Sequence, residues 1–95
     1  MHIITHKRLT EFALLHPDLD SALDHWYRLM KTHTFQNFAE LREVFPSADQ
    51  VKNLTVFNIG GNKARLIAAI RYKGQVVYIR GILTHAEYDQ EKWKE

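Results

Sequence analysis

Apolar residues recur at helical spacing through the first half of this chain and at alternate positions through the second. His2, Ile3 and Ile4 read as a short first strand at a sheet edge, and Thr5 is placed to cap a helix. That helix carries Leu9, Phe12, Ala13 and His16 on one side, and Pro17 ends it. Asp18 or Asp20 can cap a second helix. Its stripe of Leu19, Ala22, Leu23, Trp26, Leu29 and Met30 is the clearest 3.6-residue period in the chain. A third, short helix starts at Asn37, where Glu40 three residues on completes a capping-box pattern. It presents Phe38, Leu41 and Phe45 before Pro46 stops it. The period then changes to two. Residues 52–59, 63–72 and 75–83 predict strands of a meander, divided by Gly60-Gly61 and Lys73-Gly74. Thr84 and Glu87 form a second capping-box pattern, opening a last helix that runs to about Trp93. The order predicts an α+β fold: a small, mainly antiparallel sheet with the N-terminal helices on one face and a short C-terminal helix.

Turn length then sets which side chains share a face. A two-residue loop at Lys73-Gly74 pairs Tyr72 with Gln75. Ile70 then faces Val77, Ala68 faces Ile79 and Leu66 faces Gly81, an apolar face that should receive Trp26 and Phe12. On the other face Arg71 meets Val76, Ala69 meets Tyr78, Ile67 meets Arg80 and Arg65 meets Ile82. Arg65 and Arg80 become diagonal neighbours about 7–8 Å apart at Cα, close enough to hold one phosphate between them. If Gly60-Gly61 is also a two-residue turn, Lys63 faces Asn58 and Arg65 faces Val56, with Lys52 in phase. Taken singly, a Lys or Arg on a solvated sheet face is ordinary surface. Their convergence is the stronger signal, because neighbouring cations repel unless an anion fills the space between them.

Composition narrows the classes. Ninety-five residues make one small domain, 1–95, and an apolar fraction of 45% with 25% charged residues is that of a folded globular protein. No apolar run approaches the roughly 20 residues of a membrane span, and the opening MHIIT does not read as a signal peptide. Cysteine is absent, which removes thiol nucleophiles and cysteine metal sites and agrees with a cytoplasmic home. The formal net charge is only +2, but its distribution is uneven. Residues 52–80 hold Lys52, Lys63, Arg65, Arg71, Lys73 and Arg80 and no Asp or Glu. A cationic sheet of this kind suits a phosphodiester, with RNA the leading candidate.

Beyond the last strand, His85, Tyr88 and Asp89 are spaced i, i+3, i+4 and share one helix face near the strand of Arg80. An imidazole and a phenol beside arginines can exchange protons during phosphodiester cleavage. The competing readings are a capping turn with a packed Tyr, or a metal held by His85 and Asp89. Two ligands in a basic surround make a poor cation site. His2, His6, His16, His25 and His33 show no metal-protease spacing, and the glycine pair is too short for a nucleotide loop.

The run 57–66 (FNIGGNKARL), the strand Tyr78-Ile79-Arg80, and the segment THAEYD at 84–89 with Trp93 together resemble the HigB toxins, a branch of the RelE superfamily. The resemblance extends over essentially the whole chain, including MHIIT and the FPSAD segment at 45–49. It implies a compact RelE-like fold and a metal-independent endoribonuclease without cofactor, acting on mRNA in the ribosomal A site. It also implies neutralisation by a HigA-type helix-turn-helix antitoxin. Arg65 and Arg80 match the family's basic phosphate-binding positions, and Asn62 and Lys63 lie in its signature turn. His85, Tyr88 and Asp89 match the C-terminal motif associated with catalysis. The expected chemistry is attack of a ribose 2′-OH on the adjacent phosphate, with Arg65 and Arg80 stabilising the transition state. His85 or Tyr88 exchanges the protons, and Asp89 orients a partner. Lys52, Asn58, Asn62, Lys63, Arg71 and Tyr78 are the expected RNA-binding positions around it. A non-catalytic RNA- or ribosome-binding module and a protein-interaction domain are the alternatives.

Overall fold

The computed structural model describes residues 1–90, so the expected continuation of the last helix to Trp93 lies outside the described residues. In chain order the elements are β1 (His2–Ile4), α1 (Lys7–Leu15), a 3₁₀ turn (Pro17–Leu19), α2 (Asp20–Thr32), α3 (Phe38–Val44), β2 (Asp49–Val51), β3 (Leu54–Ile59), β4 (Ala64–Arg71), β5 (Val76–Thr84) and α4 (His85–Asp89). The strands form one sheet in the order β1-β5-β4-β3-β2. β1 runs parallel to β5 at one edge, and every other pairing is antiparallel. This is the α+β arrangement expected from the sequence.

The α2 stripe buries Leu23, Trp26 and Met30 beneath the sheet, with Leu9 of α1 and Leu41 of α3 beside them. Against these lie Phe57 and Ile59 of β3, Ala64, Leu66 and Ala68 of β4, and Val77 and Ile79 of β5. Trp26 and Phe45 meet the Phe57 ring edge-on, at centroid distances of 5.4 and 5.1 Å. That geometry is favoured by aromatic quadrupoles and fixes the helical layer on the sheet. Among the described residues no helix is long and apolar enough to cross a membrane.

The helix starts differ from expectation in two places. Thr5 does not cap α1. It adopts a φ of 69° and its hydroxyl donates to the Ile79 carbonyl at 3.1 Å, fastening the β1–α1 junction to β5, while His6 occupies the N-cap without a side-chain bond. Neither Asp18 nor Asp20 caps α2, because the 3₁₀ turn runs directly into it and places Leu19 at the N-cap. The other two caps form. The Asn37 side chain accepts from Glu40 N at 2.9 Å, and Thr84 and Glu87 bond reciprocally at 2.9 and 3.3 Å.

Near the β4–β5 turn the register is the expected one, from Arg71↔Val76 to Ala68↔Ile79. Gln75 takes a φ of 55° there. Its side chain compensates for that conformation by accepting from Phe35 N at 3.2 Å and donating to the carbonyls of Phe35 at 2.6 Å and Tyr72 at 2.7 Å. Beyond Ala68 the pairing shifts to Ile67↔Gly81, Leu66↔Ile82, Arg65↔Leu83 and Ala64↔Thr84. Arg80 is the extra residue of a β-bulge, so it does not face Ile67, and Arg65 does not face Ile82. Strict alternation would place Gly81 inside and Ile82 in solvent. The bulge instead packs Ile82 against the core, and Gly81 tolerates the local kink.

Two further corrections follow from loop length. The β3–β4 connection has four residues rather than two, Gly60 and Gly61 both taking positive φ (61° and 71°), so Arg65 pairs with Asn58 and Ile67 with Val56. Lys63 therefore lies in the loop and does not face Asn58. Lys52 is not in a strand either. It sits at φ 57° in the turn joining β3 to the unanticipated strand β2, which pairs Asp49 with Val56 and Val51 with Leu54.

Candidate functional site

β5 passes into α4 without a linker, and this junction builds the site. Thr84 closes the capping box, and the His85 amide donates to the Lys63 carbonyl at 3.1 Å, tying the start of α4 to the β3–β4 loop. Loop, strand and helix thus converge at one corner of the sheet. Arg65 stands at the centre. Its guanidinium donates to the Asn62 side-chain oxygen at 3.2 Å and to the Ala64 carbonyl at 3.1 Å, and it lies 5.5 Å from the centroid of the Tyr88 ring. Asn58 is exposed on the neighbouring strand directly opposite. One turn along α4, His85 Nε2 and Asp89 Oδ2 are 3.2 Å apart, both side chains open to solvent.

This arrangement has two chemical capacities. The guanidinium is braced by an amide and an aromatic face, leaving part of its fork available to a phosphate oxygen. The imidazole is steered by a carboxylate through Nε2, so Nδ1 is the ring nitrogen left to exchange a proton. Among the described residues His85 and Asp89 are not joined by a third His, Cys, Asp or Glu in a cluster suited to a metal ion.

The remaining expected site residues are spread along the sheet. Arg80 is exposed on the same outer face, but the bulge places it roughly 9–10 Å from Arg65 at Cα by strand geometry, wider than the expected diagonal. Arg71 and Tyr78 form their own pair near the opposite end of the hairpin, with the guanidinium 5.6 Å from the ring centroid. Lys63 reaches away to Asp18, at 3.6 Å, so an acid 45 positions earlier in sequence compensates a cation that looked unpaired. Lys52 lies in a turn at the end of the sheet remote from α4.

The outer face also holds a feature that the expected cationic face omits. Val56 and Ile67 are each only 3% exposed, yet neither belongs to the core under the helices. Ile67 joins Leu54, Gly81 and Leu83 around a shallow cavity of about 200 Å³, with Arg80 at its rim. The signal was in the sequence, since Leu54, Val56 and Ile67 fall on the outward phase of their strands. Leu83 joins them only through the bulge.

With this geometry in hand, comparison with known proteins is direct. Residues 19–91 match the HigB toxin family, described as the RelE-like toxic component of a toxin–antitoxin system. The "mRNA interferase toxin HigB" of Escherichia coli K12 is 38% identical over 92 residues, covering 94% of this chain and 88% of that protein. The "mRNA interferase HigB" of Shigella flexneri matches to the same extent. That of Escherichia coli O6:H1 is 36% identical over 93 residues, covering 95% and 90%. The matched span contains every residue gathered at the α4 corner, and the chain belongs to the HigB toxin family.

Proposed function

We propose that this protein is the toxin of a type II toxin–antitoxin pair, acting in the cytoplasm as a metal-independent endoribonuclease that cleaves mRNA in the ribosomal A site. Its relatives are named mRNA interferases, and the α4 corner carries the parts such chemistry needs. The observation that carries the reading is the juxtaposition of a braced Arg65 with a carboxylate-steered His85 on a surface open to a polymer.

The 2′-OH of one nucleotide attacks the adjacent phosphorus. His85 Nδ1 takes its proton, the bond to the 5′-oxygen breaks, and the leaving oxygen takes a proton from water, leaving a 2′,3′-cyclic phosphate and a 5′-OH. Arg65 stabilises the charge that accumulates on the non-bridging oxygens, where a preorganised donor has its largest effect. Arg80 reaches the same backbone from the bulge, and Asp89 holds the imidazole in place. Asn62 and Asn58 flank Arg65, while Arg71 with Tyr78, and Lys52, meet the strand or ribosomal RNA further out. Lys63 supports the loop through Asp18. A HigA-type helix-turn-helix antitoxin is the neutralising partner.

Induced expression followed by mapping of mRNA ends tests this reading. New 5′-OH ends should accumulate with the wild-type chain. Arg65→Ala should cut the rate by about 10²–10³-fold and His85→Ala by about 10²–10⁴-fold. Growth arrest without new 5′-OH ends would leave only RNA or ribosome binding.

A further inference from the structure

Gly81 stands inside β5, where neither backbone nor packing asks for a glycine. Its φ lies outside the left-handed region, and a Cβ built on it would meet nothing within 4 Å among the described residues, its chain neighbours apart. A glycine within a strand weakens that strand and often marks a place where a ligand comes close. Here the space it leaves is the shallow outer-face cavity of about 200 Å³, lined by Leu54, Ile67 and Leu83 with Arg80 at the rim. The bulge makes this cavity, because it turns both Gly81 and Leu83 outward while Ile82 packs on the core.

Register sets the cavity beside the Arg65 corner. Leu83 is the cross-strand partner of Arg65, and Ile67 pairs with Gly81. Ile67 follows Arg65 by two positions on β4, about 7 Å along the strand and on the same face. A nucleotide next to a phosphate held by Arg65 therefore has the cavity within reach of its base. The surroundings suit an anionic polymer: residues 52–80 contain no Asp or Glu, and Arg80 supplies a cation at the rim. Apart from Arg80, the lining is aliphatic side chains and the Gly81 backbone. A base can lie flat on such a floor, but no side chain there reads its hydrogen-bonding edge.

We infer that this cavity is a nucleobase subsite: one unstacked base beside the scissile phosphate lies on Ile67 and Leu83, in the space opened by Gly81, while Arg80 holds the phosphate of that nucleotide. The inference rests on the endoribonuclease reading and adds to it a determinant of sequence preference. With no donor or acceptor side chain on the floor, selection follows the area of the base's face rather than its edge. Two-ring bases are favoured over one-ring bases by about fivefold, and neither class is excluded.

The test is induced expression of the wild type, Gly81→Ala and Gly81→Val, with 5′-OH ends mapped across all mRNAs and each purified chain melted. Both new side chains enter open space, and valine suits a strand, so the melts should match or exceed the wild type. In the wild type, A and G should group against C and U at one position flanking the cut. Gly81→Val fills the subsite, so it should flatten that bias and lower cleavage at the favoured sites about tenfold. Gly81→Ala should act in the same direction by a smaller factor. Arg80→Ala should lower cleavage at all sites alike and leave the bias in place, because its partner is a phosphate. A folded Gly81→Val variant with the wild-type bias and rate overturns the inference, as does a wild type with no ring-size bias at either flank. Should Gly81→Val fail to fold, an unchanged bias in Gly81→Ala overturns it equally. A Gly81→Val variant that keeps the bias but escapes neutralisation would also overturn it, and would assign the cavity to a segment of the antitoxin. Absence of 5′-OH ends with the wild type is a separate result, which removes the endoribonuclease reading itself.

Discussion

Tyr88 carries two candidate roles that substitution can separate. Its spacing from His85 makes it a candidate proton donor, but in the structure its ring lies beside the Arg65 guanidinium. An exposed cation–π contact contributes roughly 0.5–1 kcal/mol, so losing it as an orienting contact costs about two- to fivefold in rate. We therefore expect Tyr88→Phe, which keeps the ring, to retain most of the cleavage rate, and Tyr88→Ala to lose that two- to fivefold. A Phe variant as impaired as His85→Ala would return proton transfer to the phenol. Arg65→Lys separates charge from shape at the same place. Lysine keeps the cation but cannot hold Asn62 and a phosphate oxygen with one planar fork, so single-turnover cleavage should fall nearly as far as with Ala.

At the scale of elements, the site depends on the four-residue loop between β3 and β4. Gly60 has a φ of 61°, and a Cβ there would stand 2.7 Å from Leu19 Cδ2. Gly61 has a similar φ of 71° but open space around it. Gly61→Ala should therefore cost only the left-handed backbone penalty of about 1–2 kcal/mol. Gly60→Ala should cost more, because Leu19, the last residue of the 3₁₀ turn, is buried against the loop, and thermal melts of the two variants would show the order. Much of this architecture was legible in sequence: the α2 stripe, the place of the glycine turn though not its length, the Thr84 capping box and the strands carrying Arg65, Arg71 and Arg80. What was not legible is contact made across distance. Nothing local marks Lys63 for Asp18, or the Gln75 side chain for Phe35. The bulge at Arg80 was readable only in retrospect, from Val77, Ile79 and Ile82, whose last interval is three residues where a strand requires two. The packing of Ile82 overrode alternation, and every partner expected beyond it moved by one.

Across the whole molecule, the uneven charge is on the sheet. Residues 52–80 hold no Asp or Glu, and the outer sheet face offers cations spaced along about 20 Å from Arg65 to Arg71, six residues apart on one strand. A single strand of RNA laid on that face meets the Arg65 corner, then Arg80 with its aliphatic floor, then the Arg71–Tyr78 pair, whose stacked guanidinium and ring offer a surface to a base. If three phosphates are neutralised, the logarithm of the binding constant should fall with the logarithm of salt with a slope of about −2. Arg71→Ala removes one contact, so the slope should flatten by roughly 0.7. Cleavage at saturating RNA should be unchanged, because Arg71 is remote from the scissile bond. Arg65→Ala should flatten the slope by a similar amount and also abolish most of the chemistry. Fluorescence anisotropy across a salt series, with single-turnover cleavage on the same RNA, measures both quantities. An Arg71→Ala variant that binds with the wild-type slope would mean the RNA does not run along the strand at all and meets the protein only at the α4 corner.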